Sequence, residues 1–142
     1  MRRRAVAALL FLCAFVGPGQ AQADLSAADR MAIQGVITRQ IDAFRHDDAE
    51  AAFAFASPGI QDQFGTPGRF LDMVRRAYPA VNRPRSAEFT GLRLGEGGVV
   101  QEVELVGPDG AAQLALYSME RDAAGAWRIS GCVLVPSARV GT

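Results

Sequence analysis

Val99-Val100-Gln101-Glu102-Val103-Glu104-Leu105-Val106, then Gly107-Pro108-Asp109-Gly110, then Ala112-Gln113-Leu114-Ala115-Leu116-Tyr117-Ser118-Met119-Glu120 is the stretch that decides the fold. Val99, Gln101, Val103 and Leu105 share one face of the first run, opposite Glu102 and Glu104, the two-residue period of a strand. The Gly-Pro-Asp-Gly break is short and glycine-bearing, as a hairpin connection requires. The same grammar extends outward. Ala87–Leu94 precedes across Gly95-Glu96-Gly97-Gly98, and Ala126–Val135 follows across Arg121 to Gly125. Strand-like runs joined in sequence by tight loops predict a four-stranded antiparallel meander.

Upstream the period changes. Ile33, Ile37, Ile41 and Phe44 recur at spacings of four, four and three, which places them on one face of a helix. Ser26 suits its N-cap, Asp29 puts negative charge near the positive end of the dipole, and the helix is expected to end near Arg45-His46. Asp47 and Asp48 open a second, shorter helix through Ala56, stopped by Ser57-Pro58-Gly59. Ile60 to Gly65 reads as a turn-rich stretch. Thr66-Pro67 then reads as N-cap and first position of a third helix, with Phe70, Met73, Val74 and Ala77 buried and Pro79 ending it. Helices first and strands second define an α+β domain with the helices on one face of the sheet.

The N-terminus carries a different message. Arg2, Arg3 and Arg4 precede an apolar run from Ala5 to Val16, and Ala21-Gln22-Ala23 offers a small-x-small site. This predicts a cleaved secretory signal peptide over residues 1–23 and a single domain over 24–142, exported to the periplasm or beyond. The apolar run is too short to span a bilayer, which needs about 20 residues, so no membrane insertion is expected after cleavage. Cys13 leaves with the leader, and because Leu12 precedes it, it is no lipidation site. Of 15 basic residues the leader removes three, leaving 12 arginines against 15 carboxylates. That balance supplies no electrostatic footprint for nucleic acid or anionic lipid. Cys132 is then the sole cysteine, excluding an internal disulfide. It sits in an apolar segment far from histidine and reads as an inert thiol.

The phrases Gln40-Ile41-Asp42-Ala43-Phe44-Arg45 and Ala54-Phe55-Ala56-Ser57-Pro58-Gly59-Ile60 are more specific. So are Phe64-Gly65-Thr66-Pro67, Met73-Val74-Arg75, Tyr78-Pro79, Arg83-Pro84 and Trp127-Arg128-Ile129. Together they resemble a bacterial family catalogued as domain of unknown function 4864. The element order resembles the nuclear transport factor 2-like (cystatin-like α+β cone) superfamily. There a long helix and two shorter ones fill the concave side of a bent sheet. The resemblance implies that fold over nearly the whole mature chain. It implies no particular activity, because the fold serves dehydratases, isomerases, binding proteins and interaction modules alike.

His46, the only histidine, precedes Asp47 and Asp48; adjacent residues point apart, so a helix terminus explains them better than an acid/base dyad, and one histidine offers no metal ligand set. Arg75, Arg76, Arg83 and Arg85 surround Tyr78, and helical spacing places the first two on a solvated face. Gln40 falls on the inner side of the first helix, where an amide needs a partner: backbone, water or ligand. Gln101 shares the inner sheet face or reaches solvent near its strand start. Leu114 and Leu116 line one face of the third strand, and Ala115, Tyr117 and Met119 the other. A strand apolar on both sides is normally covered on both, which predicts a homodimer or a partner on the uncovered face.

The leading expectation is therefore a non-catalytic domain that binds a small, mostly neutral ligand in the cone through Gln40, Gln101 and Tyr117. No cofactor, metal or catalytic residue is expected. An interaction module using the outer sheet face is one rival. An acid/base enzyme of the same fold is the other, disfavoured because no carboxylate falls on the predicted inner faces and Asp42 projects outward.

Overall fold

Ser26 closes a capping box. Its Oγ accepts the Asp29 N–H at 3.0 Å, and the Asp29 carboxylate accepts the Ser26 N–H at 3.3 Å. From there α1 runs over Ala27–Arg45 and buries Ile33, Ile37, Ile41 and Phe44 on the face their spacing predicts. The computed structural model describes residues 25–95 and 98–137. The predicted leader, and Glu96-Gly97 of the first loop, lie outside the described residues.

His46 ends α1 as its C-cap, with Nδ1 2.8 Å from the Asp42 carbonyl oxygen. Asp47 follows at φ 55°, a left-handed conformation that aspartate tolerates better than most residues. Asp48 caps α2 (Ala49–Ala54), accepting the Ala51 N–H at 3.1 Å. His46 to Asp48 are thus a helix end, a turn and a helix start.

The stretch after α2 differs from expectation. Ser57-Pro58-Gly59 does not merely stop a helix; Ser57 is the N-cap and Pro58 the first residue of α3 (Pro58–Phe64). Proline fits that position because its missing N–H would have had no intrahelical partner. Gly65, at φ 76°, ends α3, and Thr66 caps α4 (Pro67–Ala77). The buried face of α4 is Phe70, Leu71 and Val74; Met73 is half-buried and Ala77 exposed, so the stripe is turned toward Leu71. The reason is aromatic. The Phe70 ring lies 5.9, 5.6 and 5.7 Å from those of Phe44, Phe53 and Phe64, and this cluster sets the rotation of α4. Pro79 both ends α4 and opens a single further turn, α5 (Pro79–Asn82).

The sheet matches the predicted meander. Strands β1 (Ser86–Gly95), β2 (Gly98–Val106), β3 (Ala112–Arg121) and β4 (Trp127–Pro136) lie in the order β1-β2-β3-β4, each antiparallel to the next. Val99, Gln101, Val103, Leu105, Ala115, Tyr117, Met119 and Ile129 are buried on the inner face. The chain is α+β, helices N-terminal to an open four-stranded sheet, an arrangement consistent with the expected cone.

Two aspartates fasten the layers. Asp29 accepts from Trp127 Nε1 at 3.2 Å and Arg121 Nη2 at 2.5 Å, pinning the start of α1 to the β3–β4 hairpin. Asp47 accepts from Arg75 at 2.7 Å and Arg83 at 2.8 Å, pinning the α1–α2 turn to α4 and to the end of α5. The arginines grouped around Tyr78 in sequence therefore split. Arg75 and Arg83 share Asp47, and Arg85 donates to the Pro108 carbonyl.

Candidate functional site

The site begins with an irregularity in β4. Met119 pairs with Ile129 and Ser118 with Gly131, which leaves Ser130 as an extra, bulged residue. At the same place the outer edge of β4 is taken by the chain between α2 and α3. Ser57 N–H donates to Ile129 O at 2.8 Å and Ile129 N–H to Phe55 O at 2.9 Å. The bulge and this bridge hold α3 and α4 off the sheet and leave a cavity of about 430 Å³ between them.

Aromatic and aliphatic side chains make most of the wall. Phe44 comes from α1, Ile60 and Phe64 from α3, Phe70, Met73 and Val74 from α4. Tyr117 and Cys132 form the sheet side. The polar contribution is neutral: Gln40, Gln63, Tyr78, Tyr117 and Ser130, with no carboxylate, arginine or histidine among the described residues of the lining. Exposed Gln63 and Ala77 mark where the cavity meets solvent.

Gln40 is 3% exposed, and its Nε2 donates to Ala52 O at 3.1 Å. The reason lies in α2. A helix leaves its last four carbonyls without intrahelical partners, and in a six-residue helix that is most of them. Gln40 takes the Ala52 carbonyl, Gln61 takes that of Phe53 at 3.0 Å, and Arg128 takes that of Ala54. Three side chains from α1, α3 and β4 thus finish one helix end. No described residue donates to Gln40 Oε1, which remains as an acceptor on the cavity wall.

Tyr117 and Cys132 are direct cross-strand partners. The Tyr117 hydroxyl is buried with no hydrogen-bond partner of ordinary geometry, and the Cys132 thiol, a weak acceptor, is its polar neighbour. Burial holds the phenol well above the ordinary tyrosine range and pushes the thiol up to about 12. Neither group is poised for proton transfer or nucleophilic attack near neutrality.

The structure brings together two of the three ligand residues expected from sequence. Gln40 and Tyr117 both line the cavity. Gln101 is buried on the inner face and pairs with Tyr117 in the β2–β3 register, yet lies outside the lining. Its Nε2 is spent on the backbone, donating to Gly91 O at 3.0 Å and Glu102 O at 2.9 Å, while its Oε1 is buried without a hydrogen-bond partner. Ile60, Gln63 and Phe64 are not among the residues expected from sequence, because a turn over 60–65 gives them no common face; the Ser57-Pro58 N-cap signature is the signal that a helix starts there. Asp42 is exposed and paired with Arg45, as its outward projection predicts. Among the described residues no group of three or more His, Cys, Asp or Glu is placed to hold a metal ion, and no helix is long and apolar enough to cross a membrane.

A family model described as Domain of unknown function (DUF4864) matches residues 26–142. The chain belongs to this family, whose match spans every element from α1 to β4. No curated protein and no solved structure matches the chain.

Proposed function

We propose that this protein is an exported, non-catalytic domain of the nuclear transport factor 2-like superfamily that binds a small neutral molecule in the cavity between α3, α4 and β4. The observation that carries the reading is the lining itself: a solvent-connected cavity of about 430 Å³ lined mostly by apolar and aromatic side chains, with uncharged polar groups at Gln40 and Tyr117. Small-molecule sites are built this way, concave and mostly apolar with a few fixed polar groups. The shifts of Tyr117 and Cys132 away from neutrality favour binding over acid/base chemistry. Export rests on the leader sequence alone. Native mass spectrometry of the protein taken from its own cell envelope tests both parts. The expected result is a chain beginning at Asp24 that carries a co-purifying small molecule; a chain retaining Met1 to Ala23 contradicts export, and a ligand-free cavity contradicts binding.

The outer sheet face supports a second reading, a homodimer. Leu116 pairs with Val133 there, and Val133 is 57% exposed on a face the helices leave uncovered. Tyr117 faces inward, so Leu116→Asp is the informative change: a charge at a two-fold interface meets its own copy. Sedimentation that finds the unaltered protein monomeric at high concentration ends this reading.

A further inference from the structure

We propose that the cavity selects its ligand through a hydrogen-bond donor on a small neutral molecule, which Gln40 Oε1 accepts. The inference rests on the binding reading above and deepens it.

The direction of the hydrogen bond follows from α2. Ala52 O is an acceptor only, so the Gln40 amide must turn its Nε2 toward it. The flipped amide would set two oxygens face to face. The helix end therefore fixes the amide, and the atom left for the cavity is the oxygen. Gln40 is 3% exposed, lines the cavity, and has no described donor to that oxygen. An acceptor on the cavity wall with no donor from the described residues favours a ligand that brings an O–H or N–H.

Size and charge narrow the class further. The volume of about 430 Å³ is toward the small end of ligand sites, and the Phe44, Phe64 and Phe70 rings shape part of the wall. With no ionised side chain among the described residues of the lining, a charged ligand would lose its hydration without gaining a counter-ion.

The test uses phenol and toluene, probes of nearly equal shape that differ in the donor, titrated into the ¹⁵N-labelled protein and followed by NMR shifts. A purely apolar cavity should bind phenol roughly tenfold or more weakly than toluene, because the hydroxyl is buried unpaired. With Gln40 as acceptor, the two should bind within about threefold of each other. Gln40→Leu should then weaken phenol about tenfold and leave toluene within about twofold. Toluene binding alone overturns this inference and leaves cavity binding standing. Binding of neither probe overturns both. Phenol binding that survives Gln40→Leu unchanged also overturns it, since the donor is then met elsewhere. Should Gln40→Leu not fold, the phenol-to-toluene ratio in the unaltered protein decides alone.

Discussion

Tyr117 on β3 and Cys132 on β4 face each other across the inner side of the sheet, and the buried Tyr117 hydroxyl has no good hydrogen-bond partner there. An unpaired buried hydroxyl loses its water without full replacement. Removing it removes that penalty. Tyr117→Phe is expected to leave stability unchanged or raise it by up to about 1 kcal/mol in urea unfolding. A loss of more than about 1 kcal/mol would mean the hydroxyl does have a strong partner.

Cys132 should be a poor nucleophile. With its thiol pushed up to about 12 by burial, the thiolate at pH 8 is on the order of one part in ten thousand. Iodoacetamide at that pH should label the native protein far more slowly than the same protein in urea. Equal rates would show the thiol to be accessible and ordinary.

Gln40 holds one end of α2 together. Gln40→Leu leaves the Ala52 carbonyl without its donor in a buried setting, with an expected cost of about 1–3 kcal/mol. Gln61→Leu should behave alike through the Phe53 and Ala56 carbonyls. The reading is denaturant stability, with amide hydrogen exchange expected to rise first over Ala49–Ala54. Exchange that rises uniformly across the domain would contradict a role local to α2.

Asp47 predicts a pH dependence. Hydrogen bonds from Arg75 and then Arg83 hold its carboxyl below the ordinary value, so the folded state favours the ionised form. Its contribution is present above the unfolded value of about 3.9 and is lost as pH falls through the lower folded value. Stability should therefore decline on acidification below about pH 4, and the decline should be shallower in Asp47→Asn, which keeps a side chain tolerant of the positive φ. Both partners are substantially exposed, so added salt should weaken the effect. Unaltered acid dependence in the variant would remove Asp47 from the account.

Much of this architecture was legible in the chain because it follows from local chemistry. Period-two alternation and glycine-bearing loops determine the four strands and their meander order. The Ile33–Phe44 stripe and the Ser26 and Thr66 caps determine two helices. Each such signal lies within a few residues of the element it specifies. Helix α3 was also written locally, in Ser57-Pro58, but that pair carries a stop and a start in the same letters, and only the packed structure shows both in use.

What tertiary structure alone decided is the cavity. Sequence placed Gln40 inward, but its partner, the Ala52 carbonyl, becomes available only because α2 ends against α1. Sequence named Gln101 and Tyr117 together as ligand residues without fixing the face of either, and the cavity takes Tyr117 and leaves the Gln101 Nε2 bonded to the backbone at Gly91 and Glu102. That choice depends on the Ser130 bulge and on the Phe55 and Ser57 contacts with Ile129, which hold α3 and α4 away from β4. Periodicity assigns a residue to a face, whereas a cavity is the volume that packing leaves unfilled, and that volume depends on contacts between segments far apart in the chain.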